Sequence, residues 1–142
     1  MEAELVNRMN IPYTEIPAAG VHGVGLRALP GNVLRLLCGF AQARRVIRDF
    51  RPEVMLFTGG YVAVPVALAG RRIPILLYVP DLEPGLALKT LARFADHITL
   101  IAEESRAFFP PRTRHARLTV TGHPARADLA GWTRAQARGT LG

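Results

Sequence analysis

Val54-Met55-Leu56-Phe57-Thr58-Gly59-Gly60-Tyr61, continued by Val62–Ala69, is the stretch that decides the fold. Its first four residues are an apolar run of the length and type of a buried strand. Two glycines follow, and then a helix-compatible run. Strand, Gly-Gly, helix is an order that brings bare backbone N–H groups up to a phosphate. Glycine leaves room for the ligand, and a helix N-terminus carries partial positive charge. The same residues also suit a plain strand-to-helix turn that needs positive φ. On this stretch alone both readings stay open.

Downstream, Ile73–Tyr78 reads as a second buried strand, entered through Pro74. Val79-Pro80-Asp81-Leu82-Glu83-Pro84-Gly85 then leads into a helix over Leu86–Phe94. Asp81 stands where an N-cap would, and Pro84 suits a first helical turn. Asp81 and Glu83 either cap that helix or line a ligand site, because ligands of open α/β sheets bind beyond the carboxyl ends of strands. Ala95–Ile101 is a further strand, Glu103–Phe108 a short helix, and Pro110–Arg117 a basic loop. Arg117–Val120 is the last strand, closed by Thr121-Gly122-His123-Pro124, and Trp132–Gly142 reads as an amphipathic helix. His97 takes no role beyond that of a strand-end histidine.

Upstream, Glu2–Met9 is the end of a helix, Tyr13–Ile16 alternates like a short strand, and Ala18–Gly25 is a glycine-rich loop holding His22. Pro30-Gly31-Asn32 opens a long helix, Val33 to Phe50, with an inward stripe of Val33, Leu36/Leu37, Phe40, Ala43, Val46/Ile47 and Phe50. Its first half is apolar nearly all round, so it is either buried on two sides or faces a membrane or partner. Leu34, Leu37 and Phe40, beside Arg35 and Arg44, are the candidates for an apolar patch with a basic rim. Strand–helix alternation along the chain predicts an α/β fold, a Rossmann-like parallel sheet with helices on both faces.

Composition narrows the function classes. A chain of 142 residues is one domain's worth, and a hydrophobic content of 49% marks it as globular. The apolar runs are too short to span a bilayer, and no secretory h-region follows Met1. Cys38 is the single cysteine, which excludes an internal disulfide and suits a reducing compartment. The net charge of +7 comes from seventeen arginines and one lysine, scattered and not interleaved with aromatics. No nucleic-acid platform is predicted from that arrangement. No cluster of metal ligands, Walker loop, GxSxG elbow or GxGxxG fingerprint occurs. Neither a metal nor another cofactor is expected.

Phe57-Thr58-Gly59-Gly60-Tyr61-Val62-Ala63-Val64-Pro65 resembles the second glycine loop of the MurG-type glycosyltransferases of family 28. Further similarities follow in the family's order. Glu2-Ala3-Glu4-Leu5-Val6 resembles the helix after its second strand, and Phe50-Arg51-Pro52-Glu53-Val54 its "(K/R)PD(V)" lead-in to a strand. Pro84-Gly85-Leu86-Ala87 with Lys89 resembles its "GLxNK" helix start, and Val120-Thr121-Gly122-His123-Pro124-Ala125-Arg126 its "TGNPVR" segment. Trp132–Gly142 is similar to the helix leading into the family's second domain. The resemblance covers essentially the whole chain.

It implies the incomplete N-terminal domain of a GT-B fold: residues 1–128 as an acceptor-binding Rossmann-like domain without its first strand and glycine loop, and 129–142 as a link toward a UDP-sugar-binding domain outside the sequence. The implied activity is inverting transfer of N-acetylglucosamine from UDP-N-acetylglucosamine to a lipid-diphosphate-linked acceptor, the peptidoglycan lipid intermediate. The 142 residues alone are expected not to catalyse it. Thr58, Gly59, Gly60 and Tyr61 would line the acceptor diphosphate, while Asp81 and Arg126 would contact the donor. Leu34, Leu37 and Phe40 fall on the family's membrane-association surface, which implies a cytoplasmic protein peripheral on the inner face of the membrane and attracted to anionic lipid. The chain departs from the family in two places. Tyr78-Val79-Pro80-Asp81 replaces the usual "HEQN", and His123 replaces an asparagine. A diverged family 28 transferase acting on another lipid, or a non-catalytic acceptor-binding and membrane-docking subunit, is the alternative.

Overall fold

Short apolar runs bounded by glycine and proline become strands here because neighbouring runs bury one another's alternate side chains. In the computed structural model, which describes residues 2–18, 29–109, 117–124 and 131–141, they form β1 (Met55–Phe57), β2 (Ile75–Val79), β3 (His97–Leu100) and β4 (Arg117–Val120). The four strands pair in the order β1-β2-β3-β4, each pair parallel. The helices are α1 (Glu2–Arg8), α2 (Leu29–Phe50), α3 (Ala63–Ala69), α4 (Leu86–Leu91) and α5 (Arg134–Leu141), with a 3-10 turn at Glu103–Phe108. The alternation predicted from sequence is therefore found, with a parallel sheet.

Register decides where the core lies. Met55 pairs with Ile75 and Phe57 with Leu77, while Leu77 pairs with Ile98 and Val79 with Leu100. All seven point to one face, where Ala63 and Ala67 of α3 and Leu88 and Leu91 of α4 close over them. Ile75, Leu77, Leu91, Ile98 and Leu100 are fully buried, each contributing about 1.5–3 kcal/mol on burial. Asp96 anchors the start of β2, its Oδ2 accepting the Ile75 N–H at 2.8 Å. On the second face the row Leu56, Leu76, His97 is crossed by Tyr78, Thr99 and Thr119. Leu56 is 62% exposed there, and the others are half-buried or exposed. The described core cluster of the sheet lies on the first face, because four of the six second-face residues named, Tyr78, His97, Thr99 and Thr119, are polar and tolerate solvent.

Three local expectations are corrected. Tyr13–Ile16 has no regular secondary structure and forms no strand among the described residues. The segment lies along α2, where Gln42 Nε2 donates to the Glu15 carbonyl at 2.8 Å and so takes the acceptor that a ladder would use. Asp81 does not cap α4; that helix begins at Leu86 with Gly85 as its N-cap, and Asp81 sits four positions too early. The inward stripe of α2 is narrower than the apolar pattern implied: Gly39 and Ala43 are buried, while Phe50 is 73% exposed and Val33, Leu34 and Leu37 face outward. α2 itself starts at Leu29, so Pro30 falls in the first turn, where its missing N–H removes no helical bond.

Gly39 is required by close approach, since a Cβ there would collide with the Pro17 carbonyl. Gly31, also in α2, has open space around it. Gly39→Ala is expected to lower unfolding free energy by about 1–3 kcal/mol in urea titrations. Gly31→Ala should be neutral or raise stability by up to about 1 kcal/mol.

Candidate functional site at the carboxyl edge of the sheet

Because all four strands run parallel, their carboxyl ends meet at one edge. At the end of β1 the chain turns through Gly59 (φ 122°) and Gly60 (φ 85°), a left-handed pair that side-chain-bearing residues adopt only with strain. Thr58, Gly60 and Tyr61 are exposed, and Gly59 is half-buried against Leu88. Among the described residues no backbone acceptor is recorded for the N–H groups of Gly59, Gly60, Tyr61 and Val62, whereas the Gly60 and Tyr61 carbonyls accept from Ala63 and Val64. The loop therefore presents a run of unpartnered donors to solvent. Successive N–H groups of this kind form an anion-binding concavity. α3 adds little dipole, being seven residues long.

At the end of β2, Asp81 is exposed and has no hydrogen bond or ion pair among the described residues. At the end of β4, Gly122 (φ 77°) turns the chain, and His123 Nδ1 comes within 2.8 Å of Tyr78 Oη. The two rings are nearly parallel, 12° apart in plane with centroids 6.5 Å apart. Sequence reasoning had only marked both positions as departures from the family. What brings them together is the register, which puts Tyr78 on the second face beside Thr99 and Thr119. Beyond β3, Arg106 binds Glu103 at 2.6 Å. That hydrogen bond, more than simple charge attraction, holds the Glu103 carboxyl below its usual range and raises Arg106. Arg126 lies outside the described residues. No group of three or more His, Cys, Asp and Glu able to hold a metal is present among the described residues.

The apolar patch lies between α2 and α3 and reaches the first turn of α3, which follows the glycine loop. Leu34 and Leu37 are 62% and 60% exposed, and Phe40 is half-buried. Val33, Leu36, Leu37 and Phe40 of α2 line an almost purely apolar groove of about 280 Å³ with Val64, Pro65 and Leu68 of α3. A second groove of about 600 Å³ adjoins it, sharing Phe40 and Leu68 and adding Arg44, Arg71 and Arg72. The Arg44 guanidinium lies 5.9 Å from the centre of the Phe40 ring, an arrangement that favours the cation. No described helix is long and apolar enough to cross a membrane.

Comparison with known proteins is consistent across sequence and structure. The profile of the glycosyltransferase family 28 N-terminal domain matches residues 1–100. A UDP-N-acetylglucosamine–N-acetylmuramyl-(pentapeptide) pyrophosphoryl-undecaprenol N-acetylglucosamine transferase from Geotalea uraniireducens is 37% identical over 131 residues, covering 91% of this chain and 35% of its own. The protein of the same name from Desulforudis audaxviator is 38% identical over 145 residues, covering 100% of this chain and 38% of its own. The crystal structure of Acinetobacter baumannii MurG superposes with a TM-score of 0.63 at 24% identity, over 90% of this chain and 35% of that one. The chain thus spans about a third of the length of the curated relatives it matches.

The glycine loop generates a stability prediction. A Cβ on Gly60 would meet nothing, so Gly60→Ala isolates the cost of its φ, expected at about 1–2 kcal/mol in denaturant titrations. Gly60→Asn should lose less, because asparagine enters the left-handed region more readily.

Proposed function

The chain belongs to glycosyltransferase family 28 through its N-terminal domain, and from that premise we propose that it is the acceptor-side part of a transferase moving N-acetylglucosamine from UDP-N-acetylglucosamine to a lipid-diphosphate-linked acceptor. The observation that carries this reading is the Gly59-Gly60-Tyr61 loop, with its left-handed backbone and unpartnered N–H groups. Residues 1–128 are the acceptor-binding unit in this reading, and 129–142 lead toward a UDP-sugar-binding domain. The start of α5 is closed by a capping box: Thr133 Oγ1 accepts from the Gln136 N–H, while Gln136 Oε1 accepts from the Thr133 N–H at 2.9 Å.

The mechanism follows from what the loop can do. Its N–H groups donate to the oxygens of the acceptor diphosphate, each bond to a charged oxygen contributing about 1.5–3 kcal/mol. Thr58 and Tyr61 add hydroxyl donors at the two ends of the loop. Fixing the diphosphate fixes the sugar attached to it, so its hydroxyl meets the anomeric carbon of the donor in line with the departing UDP. Attack there forms the new glycosidic bond and inverts that carbon as the donor's bond to UDP breaks and UDP leaves. Asp81 and Arg126 complete the donor side with opposite chemistries. Arg126 pairs with the phosphates, whereas Asp81, a carboxylate that phosphate would repel, accepts from sugar hydroxyls. The base that takes the acceptor's proton is not assigned to any described residue.

Leu34, Leu37 and Phe40 seat the protein on the inner face of the cytoplasmic membrane in the same reading. Apolar side chains enter the acyl boundary, and Arg44, Arg71 and Arg72 meet anionic headgroups. A protein held there meets a lipid-linked acceptor at its bilayer surface.

Two measurements test these points. Farnesyl diphosphate in micelles should shift the backbone amide resonances of Gly59, Gly60 and Tyr61, and Gly60→Ala should weaken its binding about tenfold; unmoved loop amides would overturn the acceptor assignment. In flotation with phosphatidylglycerol-containing vesicles, Leu37→Asp and Phe40→Asp should each reduce bound protein by roughly tenfold. Undiminished flotation would remove the patch from the membrane.

A further inference from the structure

Tyr78 stands on β2 and His123 in the turn after β4, at positions where the family has other residues, and the fold brings them to 2.8 Å. Tyr78 projects from β2 on the second sheet face, crosses the Thr99 position of β3, and meets the segment that follows β4. Gly122, at φ 77°, supplies the turn that presents His123 to it. Tyr78 is half-buried and His123 exposed, so the pair has an anchored end and an open end. Only Nδ1 of the imidazole is engaged, and no partner for Nε2 is recorded among the described residues. A phenol O–H is a good donor, and the neutral imidazole nitrogen facing it accepts, which leaves the proton on the opposite nitrogen.

We propose that Tyr78 locks His123 in the tautomer whose Nε2–H points out from the carboxyl edge, and that this N–H donates to a diphosphate oxygen of the UDP-sugar donor. Tyr78 is a positioning residue in this arrangement, and His123 a binding residue. The inference rests on the donor–acceptor reading above and assigns His123 to the donor half of it. Separation decides between the two substrates. Three interstrand spacings of about 4.8 Å separate the backbone at the end of β4 from that at the end of β1 by roughly 14 Å, which sets the His123 turn and the glycine loop on opposite flanks of the edge. The pair also alters reach. An asparagine amide at position 123 would place its nitrogen near the imidazole Nδ1, whereas the histidine carries its donor to the far side of the ring, away from Tyr78.

The test is a long-range proton–nitrogen NMR spectrum of the histidine-labelled 142-residue chain in mildly alkaline buffer. The expected pattern for His123 is a protonated Nε2 and an unprotonated Nδ1, with Tyr78→Phe giving a mixture of tautomers. A predominantly Nδ1-protonated ring in the unmutated chain overturns the lock. UDP-N-acetylglucosamine at millimolar concentration should then shift the His123 Nε2–H while leaving the Gly59 and Gly60 amides in place. His123→Ala should weaken binding about tenfold, and His123→Gln, whose amide nitrogen reaches the Nε2 position, should stay within about threefold of the parent. An unmoved Nε2–H, or equal losses for the alanine and glutamine variants, overturns the assignment. Farnesyl diphosphate distinguishes the two readings. If it moves the glycine amides while the nucleotide sugar leaves His123 unmoved, only this inference falls. If it leaves the glycine amides unmoved while His123 responds to the nucleotide sugar, the acceptor reading falls and this one stands.

Discussion

The register between β2 and β3 is the constraint on which the rest of the molecule depends. Leu77 opposite Ile98 and Val79 opposite Leu100 stack four fully buried side chains on one face of the sheet. α3 and α4 can cover that layer only because Ala63, Ala67, Leu88 and Leu91 are small or apolar where they meet it. A slip of one residue would send Tyr78 and Thr99 into the core and put Leu77 and Ile98 in solvent. It would also misplace every strand end, and with them the loops that follow.

From that register the functional edge follows. Parallel strands deliver Gly59-Gly60, Asp81 and Gly122-His123 to the same side of the sheet, on chain segments far apart in sequence. Each turn solves the same geometrical problem differently. β1 exits through two left-handed glycines that leave amides unpartnered, and β4 exits through one glycine that aims a histidine at a tyrosine. The apolar groove between α2 and α3 is a separate consequence of packing. Gly39 and Ala43 take the buried side of α2, which leaves Leu34 and Leu37 outward, Leu37 on an apolar groove that adjoins an arginine-lined one.

Much of this could be read before any coordinates. The runs at 55–57, 75–79, 97–100 and 117–120 are short, apolar or β-branched and bounded by turn residues, so strand type was legible. The Gly-Gly loop was legible as a turn that needs positive φ. Tyr13–Ile16 misled because alternation alone does not supply a neighbouring strand, and Gln42 captured its carbonyl instead. Asp81 misled as a cap because Pro84 and Gly85 keep the chain extended past it until Leu86. The stripe of α2 misled because apolar residues all round a helix do not say which of them face the core.

By itself the sequence determined the α/β class, the family, the glycine loop and the apolar character of α2. These rest on local composition and on spacings of a few residues, which chain connectivity preserves. The tertiary structure alone decided that the described core occupies one sheet face, that Leu34 and Leu37 point outward, and that Tyr78 meets His123. Those outcomes depend on register and on helix rotation about its axis. Both are set by contacts between residues tens of positions apart, where the side chain that wins the interior is chosen by its partner and not by its neighbours in the chain.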